Sequence, residues 1–282
     1  MKPVALSVPI FTATFLITLY YGVFAQNKTY DIRHYDLEIK PDFTTKTLNV
    51  KSAILIDNPE LQDEILLGLN DCYDIVKIAS NASVVEVNRS PGWINIKIKK
   101  PTREITLVIE LRGAPGSSND EDRTVIADSS VFLLWSDRFY PIDFNDWATV
   151  RSCIVLPAGF RAIAPGRITN IRNKNGKVEY VWETSNPAVC FSVLADSRWI
   201  KTEREINGLR MQTLLYSESQ KFAEQIFSTS REILRFYSKT YCPYPFDQFC
   251  FDDTRHLCAT GLSGFCRIQP SIFRKGVYHH RS

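Results

Sequence analysis

The chain has 282 residues, 44% of them apolar and 23% charged, with a formal net charge of +3. That is enough chain for one large domain or two ordinary ones, in an ordinary globular mixture. Lys and Arg form no local run, which argues against nucleic-acid binding through one basic face, and the 12% aromatic content argues against a tail or linker.

Lys2 is followed by the uncharged run PVALSVPIFTATFLITLYYGVFA before QNKTYDIRHYD turns polar. Val23-Phe24-Ala25 places small residues where a signal peptidase reads, so residues 1–25 are expected to be a signal peptide cut after Ala25. The run is also long enough for an uncleaved membrane anchor, a reading weakened by Pro9 and by its Ser and Thr residues. Either way the remainder is expected outside the cytoplasm: secreted, periplasmic or extracellular, or anchored and facing outward. Contact with a membrane is expected only in the anchored case.

From about residue 30 to 205 the pattern is strand after strand. Tyr35, Leu37 and Ile39 alternate with polar neighbours, as do Leu48, Val50, Ser52, Ile54 and Ile56. Ile94, Ile96 and Ile98 form another run, followed by Ile105, Leu107, Ile109 and Leu111. This period of two is the mark of strands with one face buried and one in water. Asn175-Gly176 supplies a two-residue hairpin turn ahead of Val178, Tyr180 and Trp182. GAPGSSNDEDR, residues 113–123, reads as a surface loop. The expected fold is mainly β: an antiparallel β-sandwich over residues 26–205.

Near residue 206 the pattern changes. LRMQTLLY reads as a strand, and Ser217 with Gln220 forms a capping box at the start of a helix. Phe222, Ile226, Ile233, Leu234 and Tyr237 give that helix an apolar stripe, and Pro243 and Pro245 stop it. FDQFCFDD and CRIQPSIF read as two further strands. Residues 206–282 are too few to bury a good core alone, so they are expected to lean on the sandwich.

Four of the seven cysteines, Cys242, Cys250, Cys258 and Cys266, lie eight residues apart in this last part. Structural zinc sites bring two ligands from one tight turn, and a spacing of eight does not. Disulfides fit an exported chain, with Cys242–Cys250 or Cys258–Cys266 as candidate pairs, although connectivity is not legible in sequence. Buried thiols packed as small apolar groups fit best. The histidines are His34, His256, His279 and His280, and no His-Glu-x-x-His, Gly-x-Ser-x-Gly or phosphate-binding glycine loop occurs. No catalytic residue and no metal ligand is therefore assigned from spacing.

The order of these features resembles the front end of the M1 family of zinc aminopeptidases. The likeness rests on YDIRHYDLEIKPDFTTKTLNVKSAILIDN, RFYPIDFNDWATVRSCIVLPAGFRAIAPGRI, VEYVWETSNPAVCFSVLADSRW and ILRFYSKTYCPYPFDQFCF, in that order across residues 30–273. The resemblance implies a saddle-like N-terminal sandwich followed by the start of an α+β thermolysin-like domain, with peptides as substrate class and zinc as cofactor. It also implies that Thr260, Gly261, Leu262, Ser263 and Gly264 stand where the family has a Gly-Ala-Met-Glu-Asn peptide-binding loop. Ser263 takes the place of the Glu that anchors the substrate's amine, and carries no charge. The family's zinc helix would follow, and Ser282 comes before it. The expectation is a truncated relative without a zinc centre, inactive as given. The alternative is a non-catalytic sandwich that binds peptides or a partner protein.

Overall fold

The computed structural model describes residues 29–115, 124–187, 191–206, 208–244, 246, 248–253 and 265–267. The first part of the chain supplies fourteen strands among these residues. They are β1 (Asp31–Asp42), β2 (Thr47–Asp57), β3 (Glu64–Gly68), β4 (Tyr73–Ser80), β5 (Val84–Ser90), β6 (Trp93–Ile98) and β7 (Glu104–Gly113). They continue with β8 (Val125–Ile126), β9 (Ser130–Leu133), β10 (Thr149–Pro157), β11 (Arg161–Ile163), β12 (Arg167–Lys174), β13 (Lys177–Glu183) and β14 (Val193–Asp196).

Seven of them form one large sheet in the order β12-β13-β10-β1-β2-β7-β4. The alternating residues expected to be buried are buried: Leu48, Val50, Ser52, Ile54 and Ile56 on β2 are all at 2% exposure or less. Each such Ile or Leu contributes about 1.5–3 kcal/mol by leaving water. Asn175 and Gly176, with φ of 51° and 70°, turn β12 back into β13. One pairing departs from the antiparallel expectation, since β1 and β10 run parallel, with Tyr35 opposite Val150.

Two smaller sheets complete the sandwich, β3-β6-β5 and β11-β14-β9-β8. Ile65, Leu67, Ile94 and Ile96 from the first, and Val131, Leu133, Val193 and Ala195 from the second, share one core with the large sheet. An arginine fastens the first of them. Arg138, in a left-handed conformation, donates to the Gly92 carbonyl at 2.7 Å and lies 5.2 Å from the ring centres of both Trp93 and Phe144.

The sheet β11-β14-β9-β8 is buried on both faces. Val131 and Leu133 point into the sandwich, while Phe132 and Leu134 point the other way, into a second cluster with Trp199, Leu214, Tyr216 and Cys250. That second cluster is the contact with the rest of the chain. There β15 (Ile200–Ile206), β16 (Leu209–Leu215), β17 (Gln248–Asp252) and β18 (Phe265–Arg267) form a four-stranded sheet in chain order. The appended part leans on the sandwich as expected, although its sheet already begins at Ile200, ahead of residue 206.

Strands β15 and β16 are antiparallel, while β16–β17 and β17–β18 are parallel. The helix α1 (Ala223–Thr240) makes the crossover from β16 to β17. It buries Ala223, Ile226 and Phe227 against Met211, Leu215 and Phe251. Its entry differs from the capping box expected at Ser217 and Gln220. Residues Ser217–Phe222 form a tighter helical turn with no side-chain cap. The Gln220 amide instead donates to the Ile200 and Leu215 carbonyls, tying the turn to both strands of the hairpin. The expected apolar stripe divides: Ile226 is buried, whereas Ile233 and Tyr237 are about half exposed. The helix ends at Thr240, just before Pro243.

Candidate functional site

In a sheet of parallel strands, ligands bind beyond the carboxyl ends of the strands, where the connecting loops gather. Here that edge lies at the ends of β16 and β17. Five charged or phenolic side chains lie there: Asp196, Arg198, Tyr216, Asp252 and Asp253.

Asp196, at the end of β14, is fully buried. Its carboxylate accepts the Tyr216 hydroxyl at 2.8 Å and the Arg198 guanidinium at 3.0 and 2.6 Å. The paired oxygens of Asp196 raise the Arg198 pKa, and the guanidinium lies 4.9 Å from the centre of the Tyr216 ring. Burial first, and then the hydrogen bond to Asp196, raise the Tyr216 phenol well above its ordinary value. This cluster joins the sandwich to the appended sheet, because Asp196 belongs to the former and Tyr216 follows β16 of the latter.

Asp252 and Asp253 close β17, and both are buried. The Asp253 amide donates to the Leu214 carbonyl at 2.9 Å, continuing the β16–β17 ladder by one bond. Both carboxylate oxygens of Asp253 are buried and without a hydrogen-bond partner among the described residues. An ionised carboxylate in that position costs several kcal/mol unless a cation or donor meets it. Sequence reading took FDQFCFDD as a strand and did not single out its terminal acids. The signal present was a pair of carboxylates closing a run of aromatic residues.

The residues singled out from sequence are placed as follows. Thr260, Gly261, Leu262, Ser263 and Gly264 lie outside the described residues, as do Cys190, Cys258, His256, His279 and His280. Cys266 sits in β18, with Phe251 as its backbone partner. Cys242 is an exposed thiol after α1, and Cys250 is a buried thiol in β17. The candidate Cys242–Cys250 pair is therefore not joined. Cys250 packs against Leu214 and Tyr216 as a small apolar group, and burial pushes its pKa well up.

The described residues do not fit a zinc ion. His34 contacts Thr149 through Nδ1 at 2.7 Å on the large sheet, far in sequence from the buried Cys250. No three of His, Cys, Asp and Glu come together as a ligand set among the described residues. No helix among them is long and apolar enough to cross a membrane.

No protein-family model and no curated protein sequence matches the chain. Its fold does match solved structures. An M1 zinc metallopeptidase from Deinococcus radiodurans aligns with a TM-score of 0.71 and 14% identity, over 86% of this chain. A mutant of that enzyme bound to a Tyr-Ser-Ala substrate aligns with a TM-score of 0.72 and 16% identity, over 87% of this chain. A two-domain M1 zinc metallopeptidase mutant bound to L-arginine aligns with a TM-score of 0.71 and 16% identity. The chain spans 61% of the length of each. The sandwich and the strand–helix–strand part thus share the fold of M1 zinc metallopeptidases.

Proposed function

We propose that this chain is the front portion of an exported M1-type aminopeptidase, comprising the N-terminal sandwich and the opening of the catalytic sheet. The observation that carries the reading is the alignment over 86–87% of the chain, which includes the four-stranded sheet as well as the sandwich. In this reading the segment holding Thr260, Gly261, Leu262, Ser263 and Gly264 takes the peptide, as the resemblance to the family's peptide-binding loop implies. A backbone edge rich in glycine accepts an extended peptide through main-chain hydrogen bonds. Ser263 offers a hydroxyl where the resemblance implies a carboxylate, so amine recognition by charge is weak at that position.

Residues 1–282 contain no His-Glu-x-x-His. A zinc peptidase needs ligands to hold the ion and a carboxylate to activate its water. By themselves these residues bind peptides without cleaving them. Export follows from the apolar run of residues 1–25.

Incubation of the purified chain with fluorogenic aminoacyl substrates, with zinc and with a chelator, tests the proposal alongside a peptide-binding assay. Saturable peptide binding without turnover is expected. Turnover abolished by the chelator overturns the inactivity, and absence of binding overturns the peptide-presenting role.

A further inference from the structure

A groove lies away from the carboxyl edge, between the second half of α1 and the β15–β16 hairpin. It has a volume of about 590 Å³, within the range of sites that take ligands. Its floor is aliphatic, formed by Ile206, Leu209, Met211 and Leu234. One wall carries Arg231, Arg235 and Lys239, and among the described residues no carboxylate lines the groove.

We propose that this groove is a docking site for an acidic peptide segment in extended conformation, whose carboxylates alternate with apolar side chains. The three cations stand four residues apart along α1, which spaces them by about 6 Å. Alternate residues of an extended peptide recur every ~7 Å on one face. A segment with carboxylates on one face therefore meets the basic wall in register. Its other face lays apolar side chains on the floor.

Among the described residues the basic wall has no ion-pair partner for its charge. Arg204 and Arg210 are ion-paired, to Glu224 and Glu203. No ion pair holds Arg231, Arg235 or Lys239 among the described residues, and all three are exposed. Lys239 lies in the last turn of α1, where a cation complements the helix dipole. Arg231 and Arg235 lie before that turn and gain little from it.

The groove is held open by the chain around it. The Tyr244 amide donates to Ser238 Oγ at 3.3 Å, and the Tyr244 hydroxyl donates to the Gln248 carbonyl at 3.3 Å. These bonds fix the end of the groove against α1 and β17, so little ordering is required of the protein on binding. The aliphatic floor selects a peptide over a nucleic-acid strand, which would present sugar and phosphate to it. The concave shape selects a peptide over a membrane surface.

The test uses the whole chain and four probes: a dye-labelled Glu/Leu alternating peptide, its Lys/Leu counterpart, a single-stranded oligonucleotide, and phosphatidylserine vesicles. Fluorescence anisotropy is expected to show saturable binding of the Glu/Leu peptide that weakens with added salt. The double variant Arg231→Glu, Arg235→Glu is expected to weaken it about tenfold or more. Arg231→Lys with Arg235→Lys is expected to retain most of it, and Lys239→Glu alone gives a second, milder loss should the double reversal disturb α1. Absence of Glu/Leu binding, equal binding of the Lys/Leu peptide, indifference to both reversals, or stronger binding of the oligonucleotide or vesicles each overturns the proposal. None of these outcomes depends on whether the chain cleaves peptides.

Discussion

Tyr216 donates its hydroxyl to Asp196 at 2.8 Å, and that bond crosses from the appended sheet to the sandwich. Asp196 is wholly buried, and Arg198, its guanidinium partner among the described residues, is half exposed. The Tyr216 bond is therefore the enclosed half of the link between the two parts. Tyr216→Phe leaves a buried carboxylate short of one donor, a loss typical of about 1.5–3 kcal/mol for bonds to charged groups. Urea unfolding should show the midpoint falling. If the bond matters mainly to the junction, unfolding should also become less cooperative, with the appended sheet lost before the sandwich.

Tyr30 supplies a pH-dependent contribution elsewhere. Its hydroxyl donates to the Leu66 carbonyl at 3.0 Å and accepts the Leu66 amide at 3.1 Å, acting as a one-residue neighbour for β3. Burial, the largest cause, raises its pKa to about 12. The folded value thus lies above the unfolded one, so the neutral phenol stabilises the fold. That contribution is fully present below pH ~10 and is lost as pH rises towards about 12. Stability of the parent chain should fall over this alkaline window, and Tyr30→Phe should flatten the fall. Equilibrium denaturation at a series of pH values, with tyrosinate absorbance followed in parallel, measures both.

Cys242 and Cys250 should separate cleanly by reactivity. The thiolate is the reactive form, and its formation requires access and an unraised pKa. Cys242 is exposed, whereas Cys250 is buried with its pKa pushed well up. Brief alkylation of the native chain, followed by peptide mass mapping, should modify Cys242 and leave Cys250 untouched until denaturant is added. Recovery of a disulfide-linked peptide holding both residues would contradict the structure.

How much of this was legible in the sequence depends on how many faces of each strand meet water. On β2 and β7 one face is buried and the other wet, so the residues alternate and the strands read directly. Strands β9 and β14 are buried on both faces because two cores clasp their sheet, and Ser130–Leu133 and Val193–Asp196 accordingly show no alternation. The parallel β1–β10 pairing joins residues about 115 positions apart, such as Tyr35 and Val150, and no local pattern reports a contact of that range. The capping box failed because Gln220 had two strand carbonyls within reach, which a local motif does not register. The basic wall of the groove was hidden for a similar reason: Arg231, Arg235 and Lys239 align only once the helix is wound. The proposed peptide-binding segment was reached through family likeness, since five residues of Thr, Gly, Leu and Ser carry no chemistry that spacing alone reveals.

The face of α1 away from the groove leads to the last prediction. Ile233, Phe236, Tyr237 and Tyr241 are 49–75% exposed, and the Tyr237 and Tyr241 rings stack at 5.8 Å. Ile233 stands three residues before Phe236 and four before Tyr237, and Tyr241 four after Tyr237, so they form one apolar strip along the second half of the helix. An exposed strip of that kind drives association when nothing covers it. The purified chain should therefore self-associate in a concentration-dependent way, seen as a shift to earlier elution in size-exclusion chromatography. Phe236→Glu with Tyr241→Lys should return it to the monomer position. The same pair of substitutions should leave thermal stability nearly unchanged, because neither side chain contributes to the core beneath α1, which is built from Ala223, Ile226 and Phe227. A monomeric parent chain at high concentration would show that the strip is too small or too polar at its tyrosine hydroxyls to drive pairing.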